Sequence, residues 1–175
     1  METRVDEYRL TRIAAAGLVI GAALGLAGSF APSDSLRGLA WGLDGTALVV
    51  ATALLTIYHA RRGNDLAAGG FLVFAVGQGL VVSGAAMGLS ASAPSFGAGA
   101  GLWAVSLAII SAGRMMPLWV RGTGSIAAIL LAVVALRIFA GGALTPLSQP
   151  LPFFAYPFLV ATLLGWAWVH YRRSV

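Results

Sequence analysis

Two histidines, His59 and His170, are the side chains of this chain best suited to metal or proton chemistry. Imidazole can ligate haem iron and titrates near neutral pH. Both lie at the expected ends of apolar segments, on what the segment order makes one face of a membrane, so the pair could bracket a haem. A metal site usually takes three or four ligands, and the chain has no cysteine and no carboxylate cluster to complete one. The flanking Tyr58, Arg61, Tyr171 and Arg172 give both segments the composition of an ordinary interfacial belt. The expected cofactor is therefore none, with haem or a pigment as the alternative.

Asp44, Arg137 and Gln78 are the other polar residues set inside apolar runs. Ionisable groups within a membrane are costly and face protein or water. Counting helical rise from the flanking loops puts Asp44 and Arg137 at similar depth near one face. They are expected to form an ion pair, structural or lining an outward cavity; the alternative is that each snorkels separately to the interface. Gln78 and Ser83 fall mid-span, where a polar side chain commonly bonds a neighbouring helix and could instead contact a ligand. Thr46, Thr52 and Thr56 can bond their own helix backbone.

Other chemistries find no residues. No nucleophile-elbow motif is present, no glycine loop followed by lysine could cradle phosphate, and no paired carboxylates stand ready for acid–base work. Enzymatic activity is not expected.

The elements that must position these residues are membrane helices. Mean hydropathy is +0.88, and 59% of residues are apolar against 10% charged. A hydrocarbon core about 30 Å thick needs roughly 20 residues of helix. The apolar runs are continuous rather than alternating, which excludes a β-barrel. The reading is all-α: one integral membrane domain over residues 1–175, a polytopic bundle of about six helices. The spans are placed at about Arg12–Phe30, Leu39–Ala60, Leu66–Ser90, Gly99–Trp119, Ser125–Ala140 and Phe153–Tyr171. A loop is expected at Ala91–Ala98 around Pro94, a turn at Arg121–Gly124, and a stiff Pro-rich loop at Gly141–Pro152. Ala27-Gly28-Ser29 imitates a signal-peptide cleavage site, but Glu2, Asp6 and Glu7 make the preceding region acidic as well as basic, so the first span is read as retained.

The net charge of +5 rests on arginine alone. A soluble chain so balanced would suggest nucleic acid; here the arginines flank apolar spans, and no nucleic-acid partner is expected. With six spans threaded, Arg4, Arg9, Arg12, Arg61, Arg62, Arg114, Arg121, Arg172 and Arg173 share one side, and Arg37 and Arg137 fall toward the other. The positive-inside rule then puts both termini in the cytoplasm, in what is expected to be a bacterial inner membrane. Tyr8, Trp41, Tyr58, Trp119, Trp166, Trp168 and Tyr171 are placed near the interfaces as aromatic belts. Span one carries Gly17, Gly21 and Gly25, and span three carries Gly77, Gly84 and Gly88. Small residues at this spacing let helix backbones approach; such a glycine zipper packs within the chain or against another subunit.

RLTRIAAAGLVIGAALGLAGSFAP and GRMMPLWVRGTGSIAAILLAVVAL resemble uncharacterised bacterial membrane proteins of a domain-of-unknown-function type. The resemblance rests on Arg9, Leu10, Arg12 and Ile13, and on Arg114, Pro117, Trp119, Gly122 and Gly124. It implies a multi-helix bundle and carries no activity or site. The leading functional expectation is a non-enzymatic accessory or packing subunit of a larger membrane assembly, holding lipid or pigment, with other membrane subunits or a second copy as partners. The alternatives are a small transporter or channel with a polar path near Asp44, Gln78 and Arg137, and a haem-bearing redox subunit using His59 and His170.

Overall fold

The chain's structure, a computed structural model, describes residues 2–85, 89–142 and 151–172, with side-chain surroundings for 7–84, 91–142 and 154–172. Six helices follow one another: α1 (Glu2–Ser29), α2 (Asp34–Arg61), α3 (Asp65–Ala85), α4 (Leu89–Ala112), α5 (Leu118–Phe139) and α6 (Leu151–Arg172). Each packs on the next, and α6 packs back on α1, so the six form a closed ring. Contacting pairs run in opposite directions along the five sequential interfaces, with Gly45 on Val82 and His59 on Phe71 between α2 and α3, and Gly124 on Thr162 and Gly165 on Val120 between α5 and α6. Gly17 meets Ala51 and Gly28 meets Trp41; Gly70 meets Ile110 and Gly84 meets Ser95; Gly101 meets Ala135 and Gly124 meets Ser111. All neighbours are therefore antiparallel, which brings the start of α1 and the end of α6 to one end. Arg61, Arg62, Arg114 and Arg121 lie at that same end.

The chain is an all-α bundle whose apolar helices suit a membrane. Five helices, α1 to α5, are long and apolar enough to cross one. α6 matches them in length and carries Tyr156, Thr162, Trp166, Trp168 and His170.

Several boundaries differ from expectation. No loop occupies 91–98, because α4 begins at Leu89 and runs through Pro94. Five residues into the helix, Pro94 forgoes one backbone bond, a loss that packed membrane helices tolerate. The turn expected at Arg121–Gly124 lies instead at 113–117. Pro117 disfavours helix at Met116 and stands as the extended N-cap of α5, with φ −56° and ψ 152°. Gly122 and Gly124 are then helical. Gly124 serves close packing, since a Cβ there would lie 2.3 Å from Ser111 Oγ.

The α1 glycines face α2. A Cβ at Gly21 would sit 2.4 Å from Leu48 Cγ, and one at Gly25 would sit 3.1 Å from Asp44 Oδ2. Gly84 meets Ser95 and Ser92 of α4; Gly88 lies outside the described residues. Hydrogen bonds stitch neighbouring helices. Trp41 Nε1 donates to Gly25 O at 3.3 Å, Ser106 Oγ to Gly70 O at 2.7 Å, and Thr162 Oγ1 to Thr123 Oγ1 at 3.0 Å.

Candidate functional site

Three core stripes carry polar residues into the ring: Leu48, Thr52, Leu55 and His59 on α2; Phe71, Phe74 and Gln78 on α3; Leu159, Leu163, Trp166 and His170 on α6. All are buried. Spacings of three and four keep each set on one helix face.

At the end that holds the start of α1 and the end of α6, His59 and His170 meet. Their Nε2 atoms are 3.0 Å apart and buried. α2 and α6 are not neighbours in the ring, so the two side chains reach each other past α1. His170 Nδ1 lies 2.7 Å from Trp166 O. A carbonyl only accepts, so His170 carries a hydrogen on Nδ1. His59 stacks on Phe71, with centroids 5.4 Å apart and planes 9° apart. Tyr58 presents its ring edge-on to both imidazoles. A Schellman turn anchors His59: Gly63 at φ +66° lets Asn64 N bond His59 O at 2.9 Å and Gly63 N bond Ala60 O at 3.1 Å.

Farther in, aromatic rings fill the centre. Phe71 and Phe74 of α3 meet Trp166 of the opposite helix α6 at 5.0 and 5.6 Å. Trp103 of α4 stacks on Phe74 at 5.8 Å. Among the described residues, the indole Nε1 atoms of Trp103 and Trp166 are buried without a hydrogen-bond partner, as is Gln78 Oε1. An unmet buried donor or acceptor costs about 1–3 kcal/mol. Gln78 Nε2 faces α2 where a Cβ at Gly45 would sit 3.3 Å away. Beside Gly45, half-buried Asp44 lays its carboxylate along the Gly21–Gly25 face of α1. Its Oδ1 has no hydrogen-bond partner among the described residues. Fifteen residues of α2 separate Asp44 from His59, about 22 Å at ~1.5 Å per residue. The line Asp44, Gln78, Trp103, Trp166, His170, His59 thus runs through most of the ring's depth.

The expected pairing of Asp44 with Arg137 does not form. Among the described residues, the ion pairs join Arg37 to Asp34 and Arg62 to Glu7. α2 and α5 are not neighbours; Arg137 is exposed while the adjacent Val134 and Ala135 are buried. Depth along the bundle matched, and rotational phase did not. Ser83 bonds its own helix at Leu80 O, as do Thr46, Thr52 and Thr56 at Gly42 O, Leu48 O and Thr52 O. For haem, the arrangement is unfavourable. Iron between two imidazoles at bond lengths of about 2.0–2.1 Å would hold the nitrogens about 4 Å apart, and these two are hydrogen-bonded to each other. Among the described residues no group of three or more His, Cys, Asp or Glu side chains gathers as metal ligands.

The aromatic belt divides. Tyr8, Trp119, Trp168 and Tyr171 are exposed, whereas Tyr58 and Trp166 are buried and Trp41 is half-buried against α1. Trp103 and Trp166 are the site residues that sequence reasoning missed. The signal for Trp166 was its place in the 159, 163, 166, 170 stripe; for Trp103 it was a mid-span position. No family model, curated protein or solved structure matches this chain.

Proposed function

We propose that this chain is a small membrane transporter or channel for a cation, with its polar path along the ring's interior. The observation that carries this reading is the line of buried polar atoms that lack hydrogen-bond partners among the described residues, from Asp44 Oδ1 through Gln78 Oε1 to the Trp103 and Trp166 indoles. A chain that served only as packing gains nothing from four such atoms, each of which weakens the fold. Water in a polar path would satisfy all four: the Asp44 and Gln78 oxygens accept and could face a cation, and the two indole N–H groups donate to water. The Phe71–Phe74–Trp166 cluster reads as the occluding layer between Asp44 and the histidine pair. Asp44 is the cation-attracting group, a span carboxylate with no cationic residue paired to it among the described residues. Arg137 drops out of the path.

Gly17, Gly21 and Gly25 are covered by α2, so of the two expected arrangements these glycines pack within the chain. The arginine-rich end is assigned to the cytoplasm of a bacterial inner membrane by the positive-inside rule.

The test is cation flux into sealed liposomes holding the purified protein, with dyes for H⁺, Na⁺ and K⁺ and an imposed membrane potential. Protein-dependent flux of one of these cations is expected, reduced at least tenfold by Asp44→Asn. No protein-dependent flux of any of the three, from protein shown to be folded, overturns the reading.

A further inference from the structure

We propose that Asp44 is a single-occupancy site that takes either one monovalent alkali cation or one proton, so that the cation binds by displacing the proton. The site rests on the transport reading above for its use, and on the surroundings of Asp44 for its chemistry.

The charges near Asp44 can be counted. In the half of the ring opposite the arginine-rich end, the ionisable residues of the sequence are Asp34, Arg37, Asp44, Arg137 and Tyr156; the segments 86–88 and 143–150 hold none. Asp34 is taken by Arg37, whose other terminal nitrogen donates to Ala31 O at 3.3 Å. Arg137 is exposed on α5, which does not pack on α2. Tyr156 of α6 is half-buried against the core, and a phenol carries no charge at neutral pH. Only α1 and α3 pack on α2. α1 presents Gly21 and Gly25 to the carboxylate, and Arg12, the nearest charged residue on α1 in sequence, lies nine residues before Gly21, about 13 Å along the helix. α3 brings Gln78 and Val82 to the adjacent Gly45, and Asp65 is 13 residues before Gln78, about 20 Å away along the helix. On α2 itself, Tyr58, His59 and Arg61 lie about 20 Å or more toward the other end.

One carboxylate without a counter-charge in a low dielectric must be neutralised. A proton does this by forming an O–H bond; an alkali cation does it by contact with the anion. Both at once would leave one positive charge uncompensated, so the capacity is one. As the cation arrives, the Asp44 O–H bond breaks, its electron pair stays on the carboxylate, and the proton leaves to water. That water is the one that brings the cation, so no relay through the indoles is involved. A divalent ion fits poorly. It would keep a net charge beside a single carboxylate, and Ca²⁺ or Mg²⁺ asks for six or more oxygens in a cage, whereas no cluster of carboxylates gathers among the described residues. Gln78 Oε1, buried and without a partner at the level of Gly45, adds a neutral acceptor at this depth, which suits a monovalent cation without changing the charge count.

The test is proton release on cation binding. Full-length protein in detergent and weak buffer is titrated with NaCl or KCl, with choline chloride as the ionic-strength control, and a pH indicator reads the protons set free. Measurements span about pH 4 to 9, the range from an ordinary to a strongly buried carboxylate. The wild-type chain should release up to one proton at saturation, and its apparent cation affinity should weaken about tenfold per pH unit on the acid side. Asp44→Asn should release none, and Asp34→Asn should behave as the wild type. Cation binding without proton release at every pH, cation affinity that does not vary with pH, no binding of either ion, or undiminished release from Asp44→Asn overturns the site. The wild-type results decide even if a variant fails to fold. Exchange in detergent with no cation flux in liposomes overturns transport and leaves the site standing. Cation flux in liposomes with no proton release in detergent overturns the site and leaves transport standing.

Discussion

A carboxylate on a membrane helix needs a donor, a cation or water, and Asp44 Oδ1 has no hydrogen-bond donor among the described residues. Arg137 is too far round the ring to serve. Removing both charges should therefore show no synergy. In a double-mutant cycle of Asp44→Asn and Arg137→Gln, read as detergent or bilayer stability, the coupling energy should lie within about 0.5 kcal/mol of zero; coupling above about 1 kcal/mol would mean that the two residues touch. That both residues lie in apolar runs was legible from composition. Which way Arg137 points was not, because depth follows from counting 1.5 Å rises whereas phase depends on which faces of α5 are covered by α4 and α6. Gln78 was legible as a mid-span polar residue. Its lack of a partner for Oε1 depends on side chains from helices distant in sequence.

The helices themselves follow closely from apolar run length, and their ends follow from turn chemistry. Gly63 ends α2 through a left-handed turn. Pro117 opens α5 and displaced the expected turn, since a proline's effect on the residue before it outweighs the glycines at 122 and 124. The contrasting roles of the helical glycines give a test at this scale. Gly21→Leu drives new atoms into Leu48 and should cost about 1–3 kcal/mol by overpacking. Gly42, with nothing within 4 Å of where its Cβ would lie, should accept alanine with a gain of up to about 1 kcal/mol from helix propensity. Thermal unfolding in one detergent compares the two; equal stability of the variants would contradict the close α1–α2 contact. Gly63→Ala should cost about 1–2 kcal/mol through its positive φ, and the ¹⁵N spectrum of His59 should shift with it, because the same turn holds the His59 carbonyl.

At the scale of the molecule, six antiparallel helices closed into a ring turn three polar-tipped stripes toward one another. Helix number, order and the shared end of the arginines could be read from hydropathy and charge. The meeting of His59 with His170 could not, because it requires ring closure by α6 on α1, and closure leaves no periodic mark in a single chain. The account stands on those stripes enclosing a path that water or protons enter. The chain has no cysteine, so a single introduced thiol is the only one present. In sealed vesicles, Gln78→Cys should react with a membrane-impermeant thiol reagent at least tenfold faster than Leu72→Cys, whose parent side chain is 52% exposed on the outer surface of the ring. A Gln78→Cys thiol as inert as the one at position 72 would mean that the interior is closed to water, and the polar line would be no path.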